Sequence, residues 1–143
     1  MKRFLLPLLF AVALPAGAAE DTRQFVQMPA PAQAVLRAEM VDMLAALHEI
    51  IGLLANGKAK EAGDVAEGRI GNGAKSSRHV GMKPAEMPGR HMTEAMRKLA
   101  WGMHDAGSEF ADVAKTGDAG KALAALPKLT SQCVSCHTAY RTR

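Results

Sequence analysis

Apolar side chains in this chain recur at alternating steps of four and three residues, and that spacing leaves few folds open. Leu36, Met40, Met43, Leu47, Ile50 and Leu54 keep it through one segment, and Met92, Met96, Leu99, Met103, Ala106, Phe110 and Val113 through another. Ala122, Leu126, Leu129, Cys133, Cys136 and Tyr140 keep it through a third. Side chains so spaced form one stripe on an α-helix, the stripe by which helices pack into bundles. A second row on the first segment, Val41, Leu44, His48 and Ile51, is expected to widen its buried face. No run of alternating β-branched residues competes, so the fold class read here is all-α.

Turn chemistry sets the boundaries. Pro29 and Pro31 precede the first helix, expected from about Ala32 to Ala55 and stopped by Asn56-Gly57. A weaker helix, Lys58 to about Ile70, offers Ala62, Val65, Ala66 and Ile70 to the core, while Gly63 and Gly68 lower its propensity. Residues 71–90 are rich in Gly and Pro and read as a loop. Thr116-Gly117-Asp118 ends the third helix and caps the fourth, which Pro127 is expected to kink or break.

The last stripe carries chemistry. In Cys133-Val134-Ser135-Cys136-His137 the second thiol lies three residues, and the imidazole four residues, after the first thiol. On a helix all three share one face. Two such thiols can add to the two vinyl groups of a haem while the imidazole reaches the iron, and this pentad is the c-type haem attachment signal. His137 would then be the proximal iron ligand. A thioredoxin-like site wants a strand-helix-strand setting, a structural zinc site wants four ligands, and no further Cys exists. A disulfide between Cys133 and Cys136 would leave His137 without a role.

The opening residues read as an address. Lys2 and Arg3 form a positive start, Phe4 to Leu14 an apolar run, and Ala16-Gly17-Ala18-Ala19 a small-residue cleavage site. Residues 1–19 are therefore expected to be a cleaved signal peptide, the run being shorter than the roughly 20 residues of a transmembrane helix. Residues 20–143 suit one domain, with no membrane insertion after cleavage. Removing Lys2 and Arg3 takes the formal charge from +4 to 4 − 2 = +2. That mild excess, with no dense basic helix, argues against nucleic acid. Phe25, Trp101, Phe110 and Tyr140 are the only aromatic residues after the address, so a macrocycle would supply apolar bulk that the core lacks.

The chain resembles the class II c-type cytochromes, the group of cytochromes c′ and c-556. The likeness rests on Cys133, Cys136 and His137 followed by Tyr140-Arg141, on Gly117-Asp118 before the last helix, and on Gly57 closing the first. It implies an antiparallel four-helix bundle with one haem c attached to the C-terminal helix through Cys133 and Cys136, His137 on the iron and Arg141 beside that imidazole. It places a distal residue on the first half of the first helix. Counted back from Gly57 this falls on Val41, which cannot bind iron. A shift of one residue brings Met40 there and keeps Met43, Leu47, Ile50 and Leu54 inward, so Met40 is the expected sixth ligand, ahead of Met43 and His48.

The expected function is electron transfer in the periplasm of a Gram-negative bacterium, with redox proteins as partners, no enzymatic activity, and a homodimer as one possible assembly. The alternative from the same resemblance is an open iron that takes up NO or CO. A third reading is copper handling by Met82, Met87, Met92 and Met96 with His91, since thioethers suit Cu(I), although Met also fills cores. His48 and His104 stand close enough to the stripes to approach a haem, but packing is the preferred role for each, and Arg37 is a candidate partner for a propionate. Lys75, Arg78, Lys83 and Arg90, set against Glu86 alone, are preferred as a solvated connection, with a docking surface for an acidic redox partner as the sharper reading.

Overall fold

In a computed structural model the chain is described over residues 20–143, and the expected signal peptide, residues 1–19, lies outside the described residues. The seams fold as their spacing dictates. Helix α1 spans Ala30–Ala55, α2 Ala59–Arg69, α3 Asn72–Arg78, α4 Glu94–Ala114 and α5 Ala119–Ala139. Two single 3-10 turns, Pro84–Glu86 and Pro88–Arg90, bridge α3 to α4. Two-residue strands β1, Gln24–Phe25, and β2, Tyr140–Arg141, pair in parallel, so the start of the described chain is tied to its end.

The ends of the helices follow local chemistry. Gly57 and Gly117 adopt positive φ, 70° and 80°, where a side chain would be strained. The Asp118 carboxylate accepts the Lys121 N–H at 3.0 Å, and the Thr93 hydroxyl accepts that of Met96 at 3.2 Å, capping α5 and α4. Of the kink or break expected at Pro127, the break does not occur: α5 runs unbroken through the proline. The carbonyl it leaves unpaired belongs to exposed Leu123, where water can satisfy it.

The layers form around small residues. Helix α2 packs between α1 and α4, and α4 lies along α5. Ala59, Ala62 and Ala66 of α2 and Ala111 and Ala114 of α4 are buried, and a Cβ on Gly63 would lie 3.1 Å from the Ala111 carbonyl oxygen. Met43, Ala46, Ile50 and Leu54 of α1, Met103, Ala106 and Phe110 of α4, and Ala122, Leu126 and Leu129 of α5 complete this core. Helix α1 meets α5 over a much smaller patch. There a second cluster gathers Val26, Met28 and Met96 with Leu36, Met92, Cys136 and Tyr140.

Three expectations are corrected. The row Val41, Leu44, His48 and Ile51 does not widen the buried face: Val41 is 64% and Leu44 67% exposed, because α1 has neighbours on one side only. Residues 71–90 are not a plain loop but hold α3. Its Asn72 N–H donates to the Ser108 hydroxyl at 2.9 Å and its Arg78 to Asp42 at 3.2 Å. Tyr140 leaves the helix for β2, pairing with Gln24 instead of continuing the stripe.

Candidate functional site

The last turns of α5 carry both thiols. Cys133 and Cys136 are half-buried and neither is in a disulfide, while Val134, Ser135 and His137 between and after them are exposed. Burial pushes both thiols above the ordinary range, and the charge of Cys133 adds to the shift at Cys136. A thioredoxin-like nucleophile requires the opposite, a depressed pKa. Neither thiol is thus shifted toward the thiolate form.

Residues before α1 hold this end of α5. The Arg23 guanidinium donates to the His137 carbonyl at 3.4 Å, and the Val26 N–H to the Arg141 carbonyl at 2.8 Å. Gln33 also donates to the Thr142 carbonyl. Arg141 stacks over Phe25, 5.1 Å from the ring centre, with Asp21 3.6 Å from its Nε. Asp21 itself is lowered to about 2, first by its hydrogen bond from Arg23.

A cavity of about 670 Å³ lies between α1, α3, the 3-10 turns and α4. Its apolar wall is Leu36, Met40, Met43, Met87, Met92, Ala100, Trp101 and Met103, and its polar side chains are Glu39, Lys75, His79, Arg90, Arg97 and His104. Cys133, Cys136 and His137 do not line it. Of the three, Cys136 adjoins it, through Leu36 and Met92, which line the cavity and also pack in the Cys136 cluster.

The expected residues sort clearly. Met40 is half-buried on the cavity wall, Met43 beside it is buried, and Val41 is exposed. His48 is exposed on α1 and does not line this cavity. His104 has a packing role: its Nδ1 donates to the Ile70 carbonyl at 2.5 Å, and burial holds its pKa below the usual value. Met96 is buried in the second cluster, away from Met87 on the cavity wall, and His91 Nε2 meets the Ala85 carbonyl at 3.1 Å. Arg37 is exposed on α1.

Glu39 and Arg97 line the cavity and carried no sequence signal, nor did Asp42. Glu39, 9% exposed, meets His79 Nε2 at 2.5 Å, which docks the end of α3 onto α1. Asp42 accepts from Arg69 at 2.5 Å and from Arg78, and this holds its carboxyl below the usual range, the Arg69 hydrogen bond being the largest cause. Lys75 lies 5.3 Å from the centre of the Trp101 ring. Arg97 donates to the carbonyls of Gly89 and Met92, both at 3.0 Å.

Among the described residues no helix is long and apolar enough to cross a membrane. No protein-family model matches the chain, and no curated protein or solved structure matches it either.

Proposed function

We propose that this chain is an exported monohaem c-type cytochrome of the class II kind, an antiparallel four-helix bundle that carries single electrons between periplasmic redox proteins and is not an enzyme. One observation carries the reading: two half-buried free thiols and a following histidine end α5, and Cys136 packs with Leu36 and Met92 of a methionine-lined cavity of ligand size. The donor set fits haem c. Cys133 and Cys136 would form the thioethers, each thiol adding its sulfur and hydrogen across one vinyl group, and His137 would bind the iron from the α5 side. Met40 faces the cavity and would offer its thioether as sixth ligand. The cavity matches an amphipathic dianion, with apolar walls for a ring and half-buried Arg97 for a carboxylate.

Bound there, haem supplies reversible one-electron chemistry at iron. The chain's own work is to hold that iron in one coordination in both oxidation states. His and Met ligation raises the reduction potential and closes the iron to weak ligands. Buried Met43 and Met103 exclude water beside Met40, and the clasp of β1 on β2 fixes the end of α5 that bears His137. Arg141, one turn beyond His137, would supply positive charge on the proximal side. The test is the pyridine haemochrome spectrum of the exported protein. The α-band of a haem with two thioether links is expected, and a band of free protohaem, or none, would overturn the reading.

A further inference from the structure

The cations of the cavity are set apart by their grouping: Arg37, Lys58, Lys60 and Lys83 also enter no ion pair among the described residues, but none of them lines this cavity. Asp42 answers Arg69 and Arg78, Glu94 answers Lys98, Asp112 answers Lys115, Asp118 answers Lys121 and Glu109 answers Lys128. Lys75, Arg90 and Arg97, drawn from three separate segments, meet around one cavity, and among the described residues none of them enters an ion pair. The only acid on the wall, Glu39, is matched to His79. Arg97 is half-buried and bonded to carbonyls, while Lys75 and Arg90 are exposed at the rim. Trp101, also on the wall and 49% exposed, lies under the Lys75 ammonium.

We infer that Lys75, Arg90 and Trp101 form the docking surface for an acidic redox protein, which exchanges one electron with the cavity's contents at this rim. The inference rests on the haem reading and adds to it where the partner sits and what charge it bears. Unpaired cations that do nothing for the fold are what electrostatic steering uses, raising association rates without tight binding. An exposed tryptophan flanked by an arginine is the composition that gives a small, short-lived interface its few strong contacts. Lys75, Arg90 and Trp101 are exposed and also line the cavity, so a protein docked on them stands beside what the cavity holds. The excess is local: the chain after its address carries only 4 − 2 = +2 in all.

Two small oxidants of opposite charge test it on the haem-loaded, reduced protein. Ferricyanide takes one electron and becomes ferrocyanide; tris(phenanthroline)cobalt(III) takes one and becomes the cobalt(II) complex. In stopped flow the ferricyanide rate should fall with added salt and the cobalt rate should rise. Lys75→Glu/Arg90→Glu should slow ferricyanide roughly five-fold or more at low salt and speed cobalt. Lys58→Glu/Lys60→Glu changes the net charge equally but lies at the Gly117 end of the bundle, where the Lys60 stem passes a Cβ built on Gly117 at 3.4 Å, and should leave both rates nearly unchanged. Poly-L-glutamate, standing in for an acidic protein, should slow the ferricyanide reaction of the parent and not of the rim variant. Equal behaviour of the two double variants would overturn the inference. So would a rim variant with unchanged rates but a shifted ferric spectrum and potential, which would assign Lys75 and Arg90 to the haem carboxylates. A protein that carries no haem would overturn this inference and the proposed function together, whereas a haem-loaded one indifferent to rim charge overturns the inference alone.

Discussion

Replacing Gly107 with alanine should destabilise the protein, although alanine is the better helix former. A methyl group there would sit 2.9 Å from the Gly71 nitrogen, 3.0 Å from the Gly71 Cα and 3.1 Å from Ile70 Cγ2. Two of those atoms are backbone, so relief requires moving the turn between α2 and α3 off α4. Overpacking of this kind costs about 1–3 kcal/mol against a propensity gain of about 1 kcal/mol. The net is therefore a loss of up to about 2 kcal/mol, and backbone contacts of 2.9 and 3.0 Å place Gly107→Ala toward that end. At Gly68, also inside a helix, a Cβ meets nothing within 4 Å, and Gly68→Ala should gain up to about 1 kcal/mol. At roughly 4 °C per kcal/mol for a domain of this size, the two thermal midpoints should differ by up to about 12 °C, Gly107→Ala melting lower. Far-UV circular dichroism melts of parent, Gly68→Ala and Gly107→Ala read this directly. Equal rises in both variants would show that α3 does not pack where it is described, and with it the placement of Lys75 and His79 would fall.

Further expectations follow from the same contacts. Burial holds His104 below its ordinary 6.5, so the folded state binds fewer protons than the unfolded one. Its contribution is complete above pH 6.5 and is lost as pH falls below that value toward the folded pKa. Asp42 is held below its ordinary 3.8, so its contribution is complete above 3.8 and is lost as pH falls through the folded pKa. The thermal midpoint should thus drop in two stages on acidification, and His104→Gln should remove the first; a flat midpoint between those two values would contradict the buried imidazole. Met40→Ala should abolish the far-red charge-transfer band of the ferric protein and lower its potential, and a high-spin spectrum before mutation would move the function toward NO or CO binding. Val41, Leu44 and Ile51 leave an apolar row on α1 that a second copy of the chain would cover. Sedimentation should find a homodimer at micromolar concentration that Leu44→Glu dissociates, and a monomeric parent would dismiss it.

What the sequence made legible was local. The seams of α1, α4 and α5 and the stops at Gly57 and Gly117 need only their own neighbours, and they were placed within about two residues. The Cys133–His137 spacing is equally local. The row Val41, Leu44, His48 and Ile51 misled because periodicity marks an apolar face but not how many neighbours will cover it. Helix α3 was hidden because Asn, Gly and Ser are poor helix formers and its support comes from Ser108, Asp105 and Asp42, all more than thirty residues away. The Glu39–His79 contact and the meeting of Lys75, Arg90 and Arg97 likewise depend on the folded path, which no spacing rule encodes.

The central claim, one haem held covalently by Cys133 and Cys136, is tested most directly by intact mass. The protein, exported from cells that attach haem to cytochromes c, is weighed after acid-acetone extraction alongside Cys133→Ala/Cys136→Ala. The account predicts that the parent keeps a mass equal to residues 20–143, or one residue more if cleavage follows Ala18, plus one haem, while the double variant weighs as bare polypeptide. A parent that extracts to the bare polypeptide mass would contradict it.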